Sequence, residues 1–199
     1  MDERPGRPID DLIPLAEAQD GYFLASQAAE QGVDRRTLVR LERAGDLDRE
    51  RWGLYRLARW PAPAQGELWP AILWARVRDP EARFSHRTAL WMHGVSDINP
   101  TKVDLALRPE VRLRSEVPPE FEIHRRDTTT PSDRVNGLPV SSLFHTLLDL
   151  IVDGMARASV GDVLERDAGD LTTTQREVLR ALYSLPPDVR AYFLAHAVK

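Results

Sequence analysis

The sequence predicts an α+β protein: an N-terminal winged helix-turn-helix, then a mixed α/β domain with a small sheet and a helical C-terminus. Three observations carry this. Between Phe23 and Arg56 an apolar-periodic helix stops at Gly32, Asp34 stands where it can cap a second helix, and two short strand-like segments follow. Beyond a Pro-rich break, three segments alternate apolar and polar residues in the manner of half-exposed strands. After Ser142 only helical periodicity remains.

In chain order, residues 1–8 are charged and Pro-rich, and Ile9, Leu12, Ile13 and Ala16 give a helix over Ile9 to Ala18. Ala25, Ala28 and Ala29 mark the next helix, and Gly32 can take the left-handed turn that ends it. Val33 is apolar enough to plug the gap between two helices, and Asp34 caps the second from Arg35 to about Ala44. Leu47 to Leu57 reads as two short strands around Arg49-Glu50-Arg51-Trp52-Gly53, a wing. Trp60-Pro-Ala-Pro-Ala-Gln-Gly66 then interrupts every periodic pattern, which predicts a winged-helix domain over residues 1–62 and an α/β domain over 67–199.

The second domain opens with a helix from Glu67 (Leu68, Ile72, Leu73, Ala75, Val77), with Trp69 and Trp74 partly buried. Ser85 to His93 is a helix ended by Gly94. The three alternating segments are Lys102 to Leu107, Val111 to Arg114 and Phe121 to His124. Asn136-Gly137 is a tight-turn signal before Leu138 to Ser141. Ser142 can cap a helix through Ile151 with the apolar stripe Leu143, Leu147, Leu150 and Ile151. Ser159 to Ala168, Thr173 to Tyr183 and Asp188 to Val198 give three more helices.

Composition narrows the function classes. With 42% hydrophobic and 29% charged residues among 199, this is the make-up of an ordinary globular protein. The absence of cysteine excludes disulfides, thiolate zinc sites and cysteine nucleophiles. The segment MDERPGRPIDD has no apolar core for a signal peptide and no long apolar run follows, so a cytoplasmic protein without membrane contact is expected. A net charge of −4 confines any contact with nucleic acid to a local surface.

That surface is the second helix. At about 100° per residue, Leu38 and Leu41 fall on one side, while Arg36, Arg40 and Arg43 gather on the other beside Val39. Guanidinium groups fit phosphate oxygens and the O6/N7 edge of guanine bidentately, so such a stripe suits a major groove. Arg35, Arg36, Thr37, Arg40 and Arg43 on the helix, with Arg49, Arg51 and Arg56 from the wing, are the candidate contacts to double-stranded DNA. Val33 to Arg59 holds eight Arg against five acidic residues, a local excess of three on an acidic protein. The plainer alternative is a solvated helix face.

Two stretches also resemble a known family. Gly32-Val33-Asp34, Leu38, Leu41, Ala44-Gly45-Asp46-Leu47 and Gly53-Leu54-Tyr55-Arg56 are similar to the N-terminal winged helix of AbiEi-type antitoxins of type IV toxin-antitoxin systems. Phe84-Ser-His-Arg-Thr-Ala-Leu-Trp-Met-His-Gly94, Val103-Asp-Leu-Ala-Leu107, Gly137-Leu-Pro-Val-Ser141 and Leu147-Leu-Asp-Leu150 resemble that family's antitoxin domain. The resemblance spans most of residues 20–151 and implies a winged helix that represses its own operon at operator DNA. It further implies an α/β domain that counteracts a nucleotidyltransferase-like toxin. Trp52, Asp48 and Glu50 depart from the basic wing that the resemblance would lead one to expect.

Other candidate sites weigh less. His86 and His93 are seven residues apart on one side of a helix, but without a third ligand they read as local hydrogen-bonding or capping residues. Asp104 with Glu122 and His124 is similar to the acidic strand pair of metal-dependent nucleases, though no Lys follows on the second strand. Asp149, in an apolar helix, reads as a structural hydrogen-bond partner. No GxSxG, P-loop or HExxH spacing occurs, and no Gly-Ser with paired aspartates that would mark a nucleotidyltransferase. The expectation is therefore a DNA-binding antitoxin and autorepressor with no catalytic residue, metal or cofactor. The alternatives are a nuclease targeted by a winged helix and a winged-helix protein-interaction module.

Overall fold

The structure, a computed structural model, describes residues 7–51, 53–62, 66, 68–166 and 169–189. The chain forms two compact units, residues 1–74 and 75–199. Helices with a small sheet make the first, a winged helix-turn-helix. A mixed α/β region and a helical C-terminal bundle make the second.

The first unit contains α1 (Ile13–Glu17), β1 (Tyr22–Leu24), α2 (Ala25–Glu30), α3 (Arg35–Arg43), β2 (Leu47–Arg51) and β3 (Leu54–Leu57), and then α4 (Leu68–Arg76) begins. The three strands are antiparallel in the order β1-β3-β2, with Phe23 opposite Tyr55 and Leu47 opposite Leu57. β1 went unseen in the sequence, because three residues running straight into a helix leave no room for alternation. The expected helix over Ile9 to Ala18 is shorter: residues 8–12 form turns and α1 starts at Ile13, with Pro14 in its first turn, where the missing N–H costs no helical hydrogen bond. Leu12, Phe23, Ala28, Val33, Leu38, Leu41, Leu47, Tyr55 and Leu57 fill one core. Trp69 and Leu73 of α4 pack on a smaller cluster with Tyr22 and Leu54.

Gly21 ties this unit together. Its φ of +89° is open to glycine, and a Cβ there would sit 2.5 Å from the Trp60 ring. Trp60 therefore lies directly on the backbone leading into β1, and its indole N–H donates to Asp20 Oδ1 at 3.3 Å.

The second unit contains β4 (Arg83–Phe84), α5 (His86–Met92), β5 (Val103–Leu107), β6 (Phe121–Arg125), β7 (Ser132–Val135), β8 (Leu138–Ser141), α6 (Leu143–Val152), α7 (Arg157–Glu165) and α8 (Thr173–Ser184). Its sheet has the order β6-β5-β4-β8-β7, with β5–β6 and β4–β8 parallel. Asn136 and Gly137, both at positive φ, turn β7 into β8. Leu147, Leu150, Val160, Val163 and Leu179 lock α6, α7 and α8 around a common core.

Two expectations fail here. Val111 to Arg114 is not a strand. β5 and β6 are parallel, so residues 108–120 must carry the chain back to the sheet's other end, and Arg125 Nη1 holds that return by donating to the carbonyls of Arg108 and Val111. Val77, placed with the apolar side of α4, lies past the end of that helix and is 61% exposed. Of the helix expected over Asp188 to Val198, residues 190–198 lie outside the described residues, as does Trp52 of the wing.

Candidate functional site

α3 is built by four local devices. Gly32, at φ +80°, ends α2; the Val33 amide returns to the Ala28 carbonyl at 2.9 Å; and the buried Val33 side chain seats the turn. Asp34 Oδ1 then accepts the Thr37 amide at 2.8 Å. The Thr37 backbone N–H, followed by its side chain, holds the Asp34 carboxyl below the usual carboxylate range. Leu38 and Leu41 are buried, while Arg35, Arg36, Arg40 and Arg43 are exposed and Thr37 and Val39 half-buried. Nine residues make α3 roughly 13 Å long at 1.5 Å per residue, so Arg36, Arg40 and Arg43 line a face about two turns long.

In the wing, only Leu47 of β2 is buried, and Asp48, Arg49, Glu50 and Arg51 are exposed. The register jumps between Arg49, opposite Tyr55, and Arg51, opposite Leu54; this bulge at Glu50 breaks the strict alternation of the strand. Arg56 differs from the other candidates. It is half-buried, its guanidinium lies 5.5 Å from the centre of the Tyr22 ring, and Nη2 donates to the carbonyls of Trp60 and Pro61. Here it fastens the exit of the wing to the sheet.

The second unit holds a polar cluster that sequence spacing did not reveal. His86, with no exposed surface, opens α5 at φ +48°, a left-handed conformation uncommon outside glycine. Its ring stacks on that of His124 from β6, with centroids 3.5 Å apart and an interplanar angle of 16°. His86 Nδ1 lies 3.0 Å from Ser85 Oγ and Nε2 lies 3.2 Å from Asp153 Oδ2, at the end of α6. His124 Nε2 meets Asp104 Oδ1 at 2.8 Å, and Asp104 also accepts from Arg87 and from the Thr88 amide. Arg126 closes the far side by donating to Asp149 and Asp153.

Charge states follow from these contacts. Burial lowers the His86 pKa below the ordinary imidazole value against the opposing pull of Asp153, which favours the neutral ring. At Asp104 burial works to raise the carboxyl, but hydrogen bonds from His124 and Arg87 outweigh it and keep the group ionised. Asp153 is held low mainly by its bond from His86 and, beyond the burial that opposes it, by Arg126.

Of the pairings weighed from sequence, His86 with His93 and Asp104 with Glu122 come apart, while Asp104 and His124 meet. His93 caps the C-terminus of α5 with Nε2 2.8 Å from the Ser141 carbonyl, away from the partners of His86. Asp104 and Glu122 face each other in register, yet Glu122 pairs with Lys102 at the surface while Asp104 turns inward to Arg87 and His124. Asp149 is the structural partner that its apolar helix suggested, 2.9 Å from Arg126 Nε. His86, His124 and Asp153 were missed as a set because they lie on three elements and share no local spacing.

With the capped helix, its glycine turn and the wing in place, the comparison with protein families is direct. Residues 10–58 match the family model described as transcriptional regulator, AbiEi antitoxin. The AbiEi match thus covers α1 to β3 and stops within the first unit. No curated protein sequence matches the chain. Among solved structures, the RV2827C protein from Mycobacterium tuberculosis is similar in fold at a TM-score of 0.57 and 17% identity, over 97% of this chain and 78% of that one. That similarity extends the likeness of fold beyond the AbiEi-matched region into the second unit. No described helix is long and apolar enough to cross a membrane.

Proposed function

We propose that the protein is an AbiEi-type antitoxin whose α3 reads operator DNA of its own operon, and whose second unit counteracts a nucleotidyltransferase-like toxin. The observation that carries the DNA reading is the Arg36, Arg40 and Arg43 face of α3, exposed opposite the buried Leu38 and Leu41 and fixed by the Asp34 cap. Arg36, Arg40 and Arg43 are all exposed, which leaves their guanidinium groups accessible to base edges and phosphates, with the Asp34 carboxylate near Arg36. Arg35, Thr37, Arg49 and Arg51 serve as flanking contacts to the backbone, and Arg56 supports them by holding the wing. The AbiEi match at residues 10–58 supports the regulatory role and, with it, the toxin partner. No catalysis is assigned, and the engagement of Asp104 by Arg87, Thr88 and His124 supports that assignment.

The test is fluorescence anisotropy of labelled promoter duplex from upstream of the gene, across a salt series. Binding should weaken linearly on a log-log plot, with a slope of about −0.9 per phosphate neutralised. Indifference to promoter sequence at every salt concentration would remove the operator reading. A downstream reading frame for a nucleotidyltransferase-like protein whose expression is toxic, and harmless when this chain is present, is the matching test of the partner.

A further inference from the structure

His86 from α5, His124 from β6 and Asp153 from the end of α6 each bring one ligand atom into a common neighbourhood, all three within 4.8 Å of one another. We propose that His86 Nε2, His124 Nδ1 and Asp153 Oδ2 bind a first-row divalent transition metal of the zinc class. This role is separate from DNA recognition and from any toxin partner. Two imidazoles and one carboxylate suit zinc, cobalt or nickel, whereas magnesium and calcium prefer all-oxygen sites.

The spacing is close to what an ion needs. Neighbouring ligands at zinc, with bonds near 2.0–2.1 Å in a tetrahedron, stand roughly 3.3 Å apart. His86 Nε2 and His124 Nδ1 lie 3.2 and 4.0 Å from Asp153 Oδ2. The surroundings are those a ligating imidazole uses. Asp104, itself held by Arg87 and Thr88, accepts from Nε2 of His124, which makes Nδ1, 4.0 Å from Asp153 Oδ2, the ring atom left to ligate. Ser85 lies at Nδ1 of His86, which leaves Nε2 facing Asp153 Oδ2, and Arg126 occupies Asp153 Oδ1 and leaves Oδ2 for the ion.

Two further features agree. Asp104 and Asp153 are each held by a guanidinium group, Arg87 and Arg126, which fixes both carboxylates in the ionised form that a cation site requires. His86 is held in a left-handed backbone conformation and sealed from solvent, a cost that folds retain where a side chain must be aimed. Access is from the Asp153 side, where that side chain is 29% exposed. Metal loading changes two things in the present arrangement. The stacked rings point their lone pairs side by side, so the His124 ring must tilt about its Asp104 bond for both to converge, and the neutral His86 ring must change tautomer, its proton leaving Nε2 and Nδ1 taking one that it donates to Ser85 Oγ. The bound ion would staple α5, β6 and α6 together.

The test uses untagged full-length protein stripped with chelator and titrated with cobalt(II), then zinc. We expect one ion per chain, visible d–d absorption of a four- or five-coordinate site that zinc abolishes, and a higher melting temperature with zinc. His124→Gln and Asp153→Asn should each weaken cobalt binding by about tenfold or more, and Asp104→Asn by a comparable factor through the loosened His124 ring. His145→Gln should leave it unchanged. Circular dichroism establishes that each variant is folded, and the more exposed Asp153→Asn decides if His124→Gln is not. No absorption and no thermal shift at saturating metal would overturn the site, as would undiminished binding in a folded His124→Gln or Asp153→Asn variant.

Discussion

Arg36 and Arg40 stand one turn apart on the same face of α3, and that geometry sets how each should respond to truncation. A guanidinium bidentate to a guanine edge loses base discrimination when removed, whereas one on a phosphate loses affinity uniformly. Replacing Arg36 or Arg40 by Ala should cost about 1 to 3 kcal/mol on the operator and less on random duplex. Arg49→Ala and Arg51→Ala should weaken both DNAs alike and flatten the salt slope by about one phosphate each. Arg56→Ala should act through stability instead, because it removes hydrogen bonds to the carbonyls of Trp60 and Pro61. Equal losses on both DNAs for Arg36 and Arg40 would reassign them to the backbone. His145 offers a separate residue-scale test. Burial, ahead of its neighbouring charges, depresses its pKa in the folded state, with Ser142 Oγ 2.8 Å from Nδ1. The unfolded chain then binds a proton that the folded chain refuses, so stability declines as pH falls below about 6.5 and this contribution vanishes above it. Urea titrations between pH 7.5 and 5, with His145→Gln as the comparison, should show the wild type losing stability more steeply, by at most about 1.4 kcal/mol per pH unit.

At the scale of elements, what could be read from the sequence was what local chemistry dictates. α3 was legible to within a residue because a positive-φ glycine, an apolar plug and an acidic cap all act inside five positions, 30–34. The hairpin turn at Asn136-Gly137 was legible for the same reason, but its first strand, β7, was not, since Ser132 to Arg134 are all exposed and show no apolar alternation. β4, two residues long, carries no period at all, yet it is the middle strand of its sheet. Val111 to Arg114 failed in the opposite sense: the alternation is present, but the parallel pairing of β5 and β6 uses those residues as a return path. The Trp60 contact belongs to this scale as well, because it joins β1 to the exit of the wing across about 40 residues. Gly21→Ala should therefore destabilise the winged helix by about 2 kcal/mol or more, from a forced left-handed Ala together with a clash against the indole. Gly32→Ala, with a similar φ of +80° but open space at its Cβ, should cost about 1 kcal/mol. Chemical denaturation of both variants gives the comparison, and equal losses would mean that Trp60 yields to the added methyl group.

At the scale of the molecule, two compact units suggest two separable roles. The Arg face lies wholly in residues 1–74, and the AbiEi match ends at residue 58. Residues 75–199 have a five-stranded sheet, a helical core and a buried polar cluster of their own. If operator binding rests on α3 and neutralisation on the second unit, exposed arginines can be removed from the first without disturbing the second. Arg36 and Arg40 are suited to that experiment because both are exposed, neither belongs to a core, and the Asp34 cap survives their loss. The full chain carrying Arg36→Ala with Arg40→Ala should derepress a reporter driven by its own promoter. The same variant should still protect cells from the toxin expressed from an unrelated promoter. A fragment beginning at residue 67 is a poorer instrument, since Trp69 and Leu73 would lose their packing against Tyr22 and Leu54. Should the double Arg variant remain folded and abundant yet fail to protect, the winged helix itself takes part in neutralisation, and the division of labour between the two units is wrong.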